Sequence, residues 1–263
     1  MIDRNRVKQQ FADYTSAYDT ADEKVKLKID HTYRVAELSE QIARAEGLSL
    51  CDIDLAWLLG MLHDVGRFEQ LRQYGTFSDA DSIDHALLGA DILFGKEADQ
   101  GRIRDYLEDA AEDVRMQTVI RSHSAYRLPE KLDERTKLFC NILRDADKID
   151  ILKVNVDVPL EAIYDATTSE LRSCVVTDTV MQAYFEEHAI LRSLKRAPVD
   201  HIVSHIALVY ELVFPMSILI VQQQGYLDKL LHYETKNPVT QAQFVKLREH
   251  MEDYLAKRQG FRM

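Results

Sequence analysis

The sequence predicts an all-α protein, and three observations carry that prediction. Only nine Gly and five Pro fall among 263 residues, so helices are seldom interrupted. Apolar residues recur at three- and four-residue spacing through most of the chain. Runs that alternate apolar and polar residues, as half-buried strands do, are few.

The elements follow in chain order. Val7, Phe11 and Tyr14 lie at helical spacing, so the first twenty residues are expected to hold an amphipathic helix. Val25, Ile29, Val35, Leu38 and Ile42 form the apolar stripe of a second helix, about Lys24 to Glu46, with Gly47 as its stop. His31 lies within it, where a lone histidine is ordinarily structural. A third helix, Asp52 to Leu62, enters through Ser49 or Asp52 as a cap. Gly66 then allows a turn. The polar stretch from Leu71 to Ser82 is a loop of the kind that often forms a lid beside a site. Its Asp79 and Asp81 lack the glycine and closing glutamate of a calcium loop.

Ser82 is expected to cap a helix from Ile83 to about Phe94, in which Gly89 and Ala90 permit close packing. Gly95 to Gln100 is a break. Ile103 to Ser122 reads as one helix, and another begins near Asp133 and carries Leu138, Phe139, Ile142 and Leu143. Val154 to Pro159 reads as an extended connection or small strand. Three or four further helices are expected after it. Ile206 to Val221, interrupted by Glu211 and Pro215, is a buried, kinked helix, too short to span a bilayer comfortably.

The totals exclude some functions. A net charge of −11, from 33 basic and 44 acidic residues, argues against a general nucleic-acid surface, which needs a basic patch. A phosphorylated substrate remains compatible, because metal ions and a few basic residues make a pocket locally positive. Cys51, Cys140 and Cys174 are far apart and form no C-x-x-C. They read as reduced thiols of a cytoplasmic protein. The polar N-terminus has no apolar signal core, and no membrane segment is expected.

Chemistry concentrates at Leu58 to Gly66, where an apolar run ends in His63-Asp64. A buried imidazole beside a carboxylate is costly unless the pair is satisfied, and a metal ion satisfies both. The dipeptide alone is equally a core histidine on a carbonyl beside a helix-ending aspartate. His31, His85, His123 and Asp147 lie on other predicted helices or helix ends, as the inward-facing ligands of a helical bundle do. Nitrogen and oxygen donors without thiolate suit one or two octahedral ions rather than a structural zinc site. His201 and His205, four apart on one helix, have no third partner in the sequence and read as structural or surface residues.

The order His31, His63-Asp64, His85, His123, Asp147 resembles the HD superfamily of metal-dependent phosphohydrolases from about Ile29 to Asp150. The local sequences that carry the resemblance are Asp-His-Thr-Tyr-Arg-Val-Ala, Gly-Met-Leu-His-Asp-Val-Gly-Arg, Asp-His-Ala-Leu-Leu-Gly-Ala and Leu-Arg-Asp-Ala-Asp-Lys-Ile-Asp. The resemblance implies one HD-domain helical bundle over 1–263, with its core at about 24–153 and a helical extension over about 154–263. It implies that His31, His63, Asp64 and Asp147 hold one divalent ion and that His85 and His123 hold a second, bridged by Asp64. The ions are one or two per chain, drawn from Mn, Fe, Mg, Ni or Zn. A dinuclear metal-hydroxide site would then attack phosphorus in line, with Arg67 or Lys148 neutralising developing charge. The implied substrate is a nucleotide or another small phosphoester, and a homo-oligomer is compatible.

Departures from the family narrow the substrate. Val-Gly-Arg follows His63-Asp64 where alarmone hydrolases carry a Glu-Asp pair. Ser-Ala-Tyr-Arg-Leu-Pro follows His123, without the Gly-Tyr-Pro of cyclic-di-GMP phosphodiesterases. The four-histidine set is similar to that of symmetrical diadenosine tetraphosphate hydrolases, in the site alone. Two alternatives stand: a diiron oxygenase on the same fold, and a catalytically inactive module that senses a nucleotide.

Overall fold

The computed structural model describes residues 2–95, 101–159 and 166–260, and among them it is helical with no strand. The chain divides into two compact units, Met1–Asp147 and Lys148–Met263.

The first unit opens with α1 (Arg4–Thr15), which buries Val7, Phe11 and Tyr14. Helix α2 (Glu23–Ala45) follows the expected stripe and ends ahead of Gly47, whose φ of +71° is a left-handed stop. Helix α3 (Leu50–Leu62) is buried on every face from Leu55 onward and is capped by Ser49, whose hydroxyl accepts from the Asp52 amide. α2 and α3 pack closely at Gly60, where a Cβ would lie 2.5 Å from Ala36 Cα.

Gly66 is not a turn. It lies inside α4 (Val65–Tyr74), and a Cβ there would lie 2.2 Å from the His85 carbonyl oxygen and 2.6 Å from the Gly89 amide. The glycine lets α4 lie against α5 (His85–Phe94) backbone to backbone. Asp84, not Ser82, caps α5, with its carboxylate accepting from the amides of Ala86 and Leu87. Residues 96–100 of the expected break lie outside the described residues.

The single helix expected over Ile103–Ser122 is two, α6 (Ile103–Tyr106) and α7 (Asp113–Ser122). Arg6, about a hundred residues away in the chain, donates to the carbonyls of Arg104 and Asp105. The Arg104 guanidinium takes the Glu108 carbonyl at 2.8 Å. Carbonyls that a continuing helix would use are thereby spent.

Helix α8 (Glu134–Asp157) runs through the stretch read as extended. Its last turn is held by a Lys153–Asp157 pair, by Asn155 donating to the Ile151 carbonyl and by Val158 donating to the Val154 carbonyl. Buried Leu152 and Asn155 keep helical spacing, and that outweighs the β preference of the valines.

In the second unit six α-helices follow among the described residues, where three or four were expected. They are α9 (Thr168–Ser173), α10 (Asp178–Phe185), α11 (Val199–Ile206), α12 (Pro215–Gln224), α13 (Tyr226–Leu231) and α14 (Pro238–Gly260). Ile206–Val221 is not one kinked helix. A 3₁₀ turn occupies Ala207–Glu211, Phe214 is extended, and Pro215 begins α12 at its first position. Proline suits that position because the first amide of a helix has no partner to lose. Buried Asp200 of this unit accepts from the Thr177 amide and hydroxyl and from the amides of Arg196 and Ala197. Among the described residues no helix is long and apolar enough to cross a membrane.

Candidate metal centre

Four of the six candidate ligands stand at helix ends. His63 ends α3, Asp64 precedes α4, His85 opens α5 and His123 ends α7. His31 lies mid-way along α2 and Asp147 along α8. A helix end lets a side chain leave an apolar packing face without breaking the helix ladder. His31, His63, Asp64, His85 and His123 are all buried, and Asp147 keeps 17 % of its side chain exposed.

The structure gathers the four histidines around the Asp64 carboxylate and sets Asp147 beside two of them. Oδ2 of Asp64 lies 3.5 Å from the Nε2 atoms of both His31 and His63. Oδ1 lies 3.4 Å from His85 Nε2 and 3.6 Å from His123 Nε2. One carboxylate thus faces two pairs of imidazoles, one pair per oxygen. Asp147 Oδ1 joins the first pair, 3.2 Å from His31 Nε2 and 3.9 Å from His63 Nε2. Within each pair the ring nitrogens are close, 3.3 Å for His31 and His63 and 3.1 Å for His85 and His123.

The outer ring nitrogens set the protonation pattern. His63 Nδ1 donates to the Gly60 carbonyl at 2.8 Å, and His123 Nδ1 to the Ile120 carbonyl at 2.7 Å. A carbonyl only accepts, so each ring carries a proton on Nδ1, and in that neutral tautomer its Nε2 lone pair faces inward. His85 Nδ1 donates to the Asp79 carboxylate at 2.8 and 2.9 Å. With both rings in that tautomer the Nε2 lone pairs of His85 and His123 face each other at 3.1 Å, which a cation among them relieves. Six nitrogen and oxygen donors without thiolate fit a divalent ion, and two overlapping triads exist: His31, His63 and Asp64, and Asp64, His85 and His123. A third grouping, Asp79, Asp84 and His85, is accounted for by the hydrogen bond just described.

Charge is matched to this task. Burial alone would raise the Asp64 carboxyl, but Lys28 and the imidazoles hold it well below the usual range. Partial burial would raise Asp147 as well, but His31 and His63 hold it low. Burial pushes His85 down to about 4, against the pull of Asp79, so the ring is neutral near pH 7. Asp79, despite burial, is lowered to about 2 by His85 and Arg67.

Four supporting residues escaped the sequence reading. Asp79, set aside there as part of a failed calcium loop, orients His85. Gln70 is fully buried and donates to Asp79, Ser82 and the Ile83 carbonyl. Arg144 reaches from α8 to the carbonyls of Ser122, His123 and Ala125, closing the end of α7 behind His123. Lys28 donates to Asp64 Oδ2 at 2.6 Å. Only Lys28 had a legible signal, its position three residues before His31 on one helix face.

Arg67 and Lys148 stand differently. The Nη1 of Arg67 donates to Gln70, the Phe77 carbonyl and Asp79, while its Nε lies 3.7 Å from Asp64 Oδ1. Lys148 follows Asp147 on α8, is buried, and opens the second unit. In the second unit His201 Nδ1 lies 3.4 Å from Lys195 Nζ, and no grouping of metal-ligand side chains includes His201 or His205 among the described residues.

The family model of the HD domain matches residues 29–152, a span that contains all six candidate ligands. No curated protein and no solved structure is significantly similar to the chain. Residues 29–152, with the His, His-Asp and Asp motifs they carry, are therefore an HD domain.

Proposed function

We propose that the protein is a metal-dependent phosphohydrolase that acts on a nucleotide or another small phosphoester at a dinuclear centre. The observation that carries this reading is the Asp64 carboxylate, with one oxygen toward His31 and His63 and the other toward His85 and His123. His31, His63, Asp64 and Asp147 would hold one ion, and Asp64, His85 and His123 the other. When bound, such ions supply positive charge for a phosphoryl oxygen and make water more acidic.

The chain's own residues do the rest. The Nδ1 hydrogen bonds of His63, His85 and His123 fix the rings, so donor atoms converge without rearrangement. Arg67 holds Asp79 on the loop and turns its Nε edge toward Asp64, adding positive potential where charge develops. Lys148, next to Asp147, is assigned the same electrostatic role. The three separate free thiols support a reducing, cytoplasmic setting.

The experiment is elemental analysis of the purified protein together with phosphate release over a panel of nucleotides and small phosphoesters. About two metal ions per chain with phosphate release is the expected result. Iron at that stoichiometry with oxygen consumption and no phosphate release would replace the reading with oxygenase chemistry.

A further inference from the structure

We propose that Lys28 is the cation that binds a phosphoryl oxygen of the substrate at this centre, an inference that rests on the reading of the centre as a phosphohydrolase site. Three cations have described contacts at or around the ligand set, and two are committed to scaffolding. Arg67 Nη1 serves three acceptors at 2.6 to 2.9 Å, and Arg144 Nη1 serves three carbonyls at 2.5 to 3.2 Å. Withdrawing either guanidinium would release the Asp79 loop or the end of α7.

Lys28 is held differently. Among the described residues its ammonium makes one hydrogen bond, to Asp64 Oδ2, and lies 5.7 Å from the centre of the Phe77 ring. An ammonium has three protons, so two remain for an incoming acceptor. The side chain keeps 17 % exposure, which leaves a route from solvent. Oδ2 is also the oxygen that faces His31 and His63. An oxyanion at that face therefore meets the ammonium within hydrogen-bond reach. A lysine on a flexible four-carbon stem is a mobile point charge that can follow a phosphoryl group.

The test compares wild type, Lys28→Met and Lys28→Arg, each loaded with Mn²⁺. Metal per chain is measured by elemental analysis, and inorganic phosphate binding by equilibrium dialysis with labelled phosphate. Lys28→Met should keep the wild-type metal content and bind phosphate about tenfold more weakly or worse, the loss of one charge-assisted hydrogen bond. Lys28→Arg should recover most of that affinity. Phosphate affinity in Lys28→Met within about twofold of wild type overturns the proposal. Loss of metal in parallel with phosphate also overturns it, because Lys28 would then be a support of Asp64. Wild-type protein that carries metal yet binds no phosphate refutes the hydrolase reading itself, before any variant is compared.

Discussion

Gly66→Ala is a one-carbon test of how the centre is held together. The new Cβ would lie 2.2 Å from the His85 carbonyl oxygen, 2.6 Å from the Gly89 amide and 3.0 Å from Gly89 Cα. All three are backbone atoms, so no side chain can swing aside. Restoring an ordinary contact of about 3.4 Å requires α4 and α5 to part by roughly 1 Å. Two effects oppose each other. Alanine favours a helix interior over glycine by about 1 kcal/mol. Overpacking costs about 1–3 kcal/mol and sits at the upper end when only backbone can yield. The net expectation is a destabilisation of about 1–2 kcal/mol, or roughly 2–8 °C in the melting of the first unit.

The larger consequence of that substitution falls on His85, the residue whose carbonyl is struck. Metal ligands keep their distances to about 0.2 Å, so a shift of roughly 1 Å should lower metal content even where the fold survives. The assay is a circular dichroism melt with elemental analysis on the same sample. Gly75→Ala is the control. Its φ is +70° and nothing lies within 4 Å of its Cβ, so it should cost about 1 kcal/mol of backbone strain and leave the metal untouched. Gly66→Ala protein with wild-type melting and metal content would refute the reasoning.

Three further outcomes are expected. Asp64→Ala should abolish metal retention and phosphate release, and His63→Ala should lower metal content to about half and abolish phosphate release, while far-ultraviolet dichroism stays near wild type in both; full activity in either would end the site assignment. Asp79→Asn removes the charge that orients His85 and should weaken metal affinity by about 10- to 100-fold in a competitive chelator titration; an unchanged titration would show that the loop carboxylate is dispensable. In the second unit, burial lowers His201 to about 4 and His205 to about 3. The unfolded chain takes up these protons near pH 6.5 and the folded one does not. Stability should therefore fall as pH drops from about 6.5 toward 4, and His205→Gln should flatten that slope in melts recorded across the range.

Legibility followed the range of the interactions. Five of the six candidate ligands sit in short local patterns, and His123 keeps its place in their order at a helix end, so sequence alone marked them as candidates. Ser49 and Gly47 were legible for the same reason, because caps and stops act on their own helix. Asp79 was not, since its role exists only once the loop after α4 folds back on His85. The break between α6 and α7 was hidden because the groups that end α6 belong partly to Arg6, distant in sequence. Gly66 was misread as a turn because a close approach of two helices and a left-handed φ call for the same residue. The valines after Asp150 imitated a strand, and only the burial of Leu152 and Asn155 at helical spacing decides against it.

The Asp64 carboxylate gives the centre an uneven fragility. Each pair of histidines belongs to one half, so damage at His31 or His123 is partial and leaves the opposite half its own donors. Asp64 has no such redundancy: it is a member of both triads, and its loss is felt by both at once. The chain thus has several ways to become half-competent and a single position at which both halves fail together.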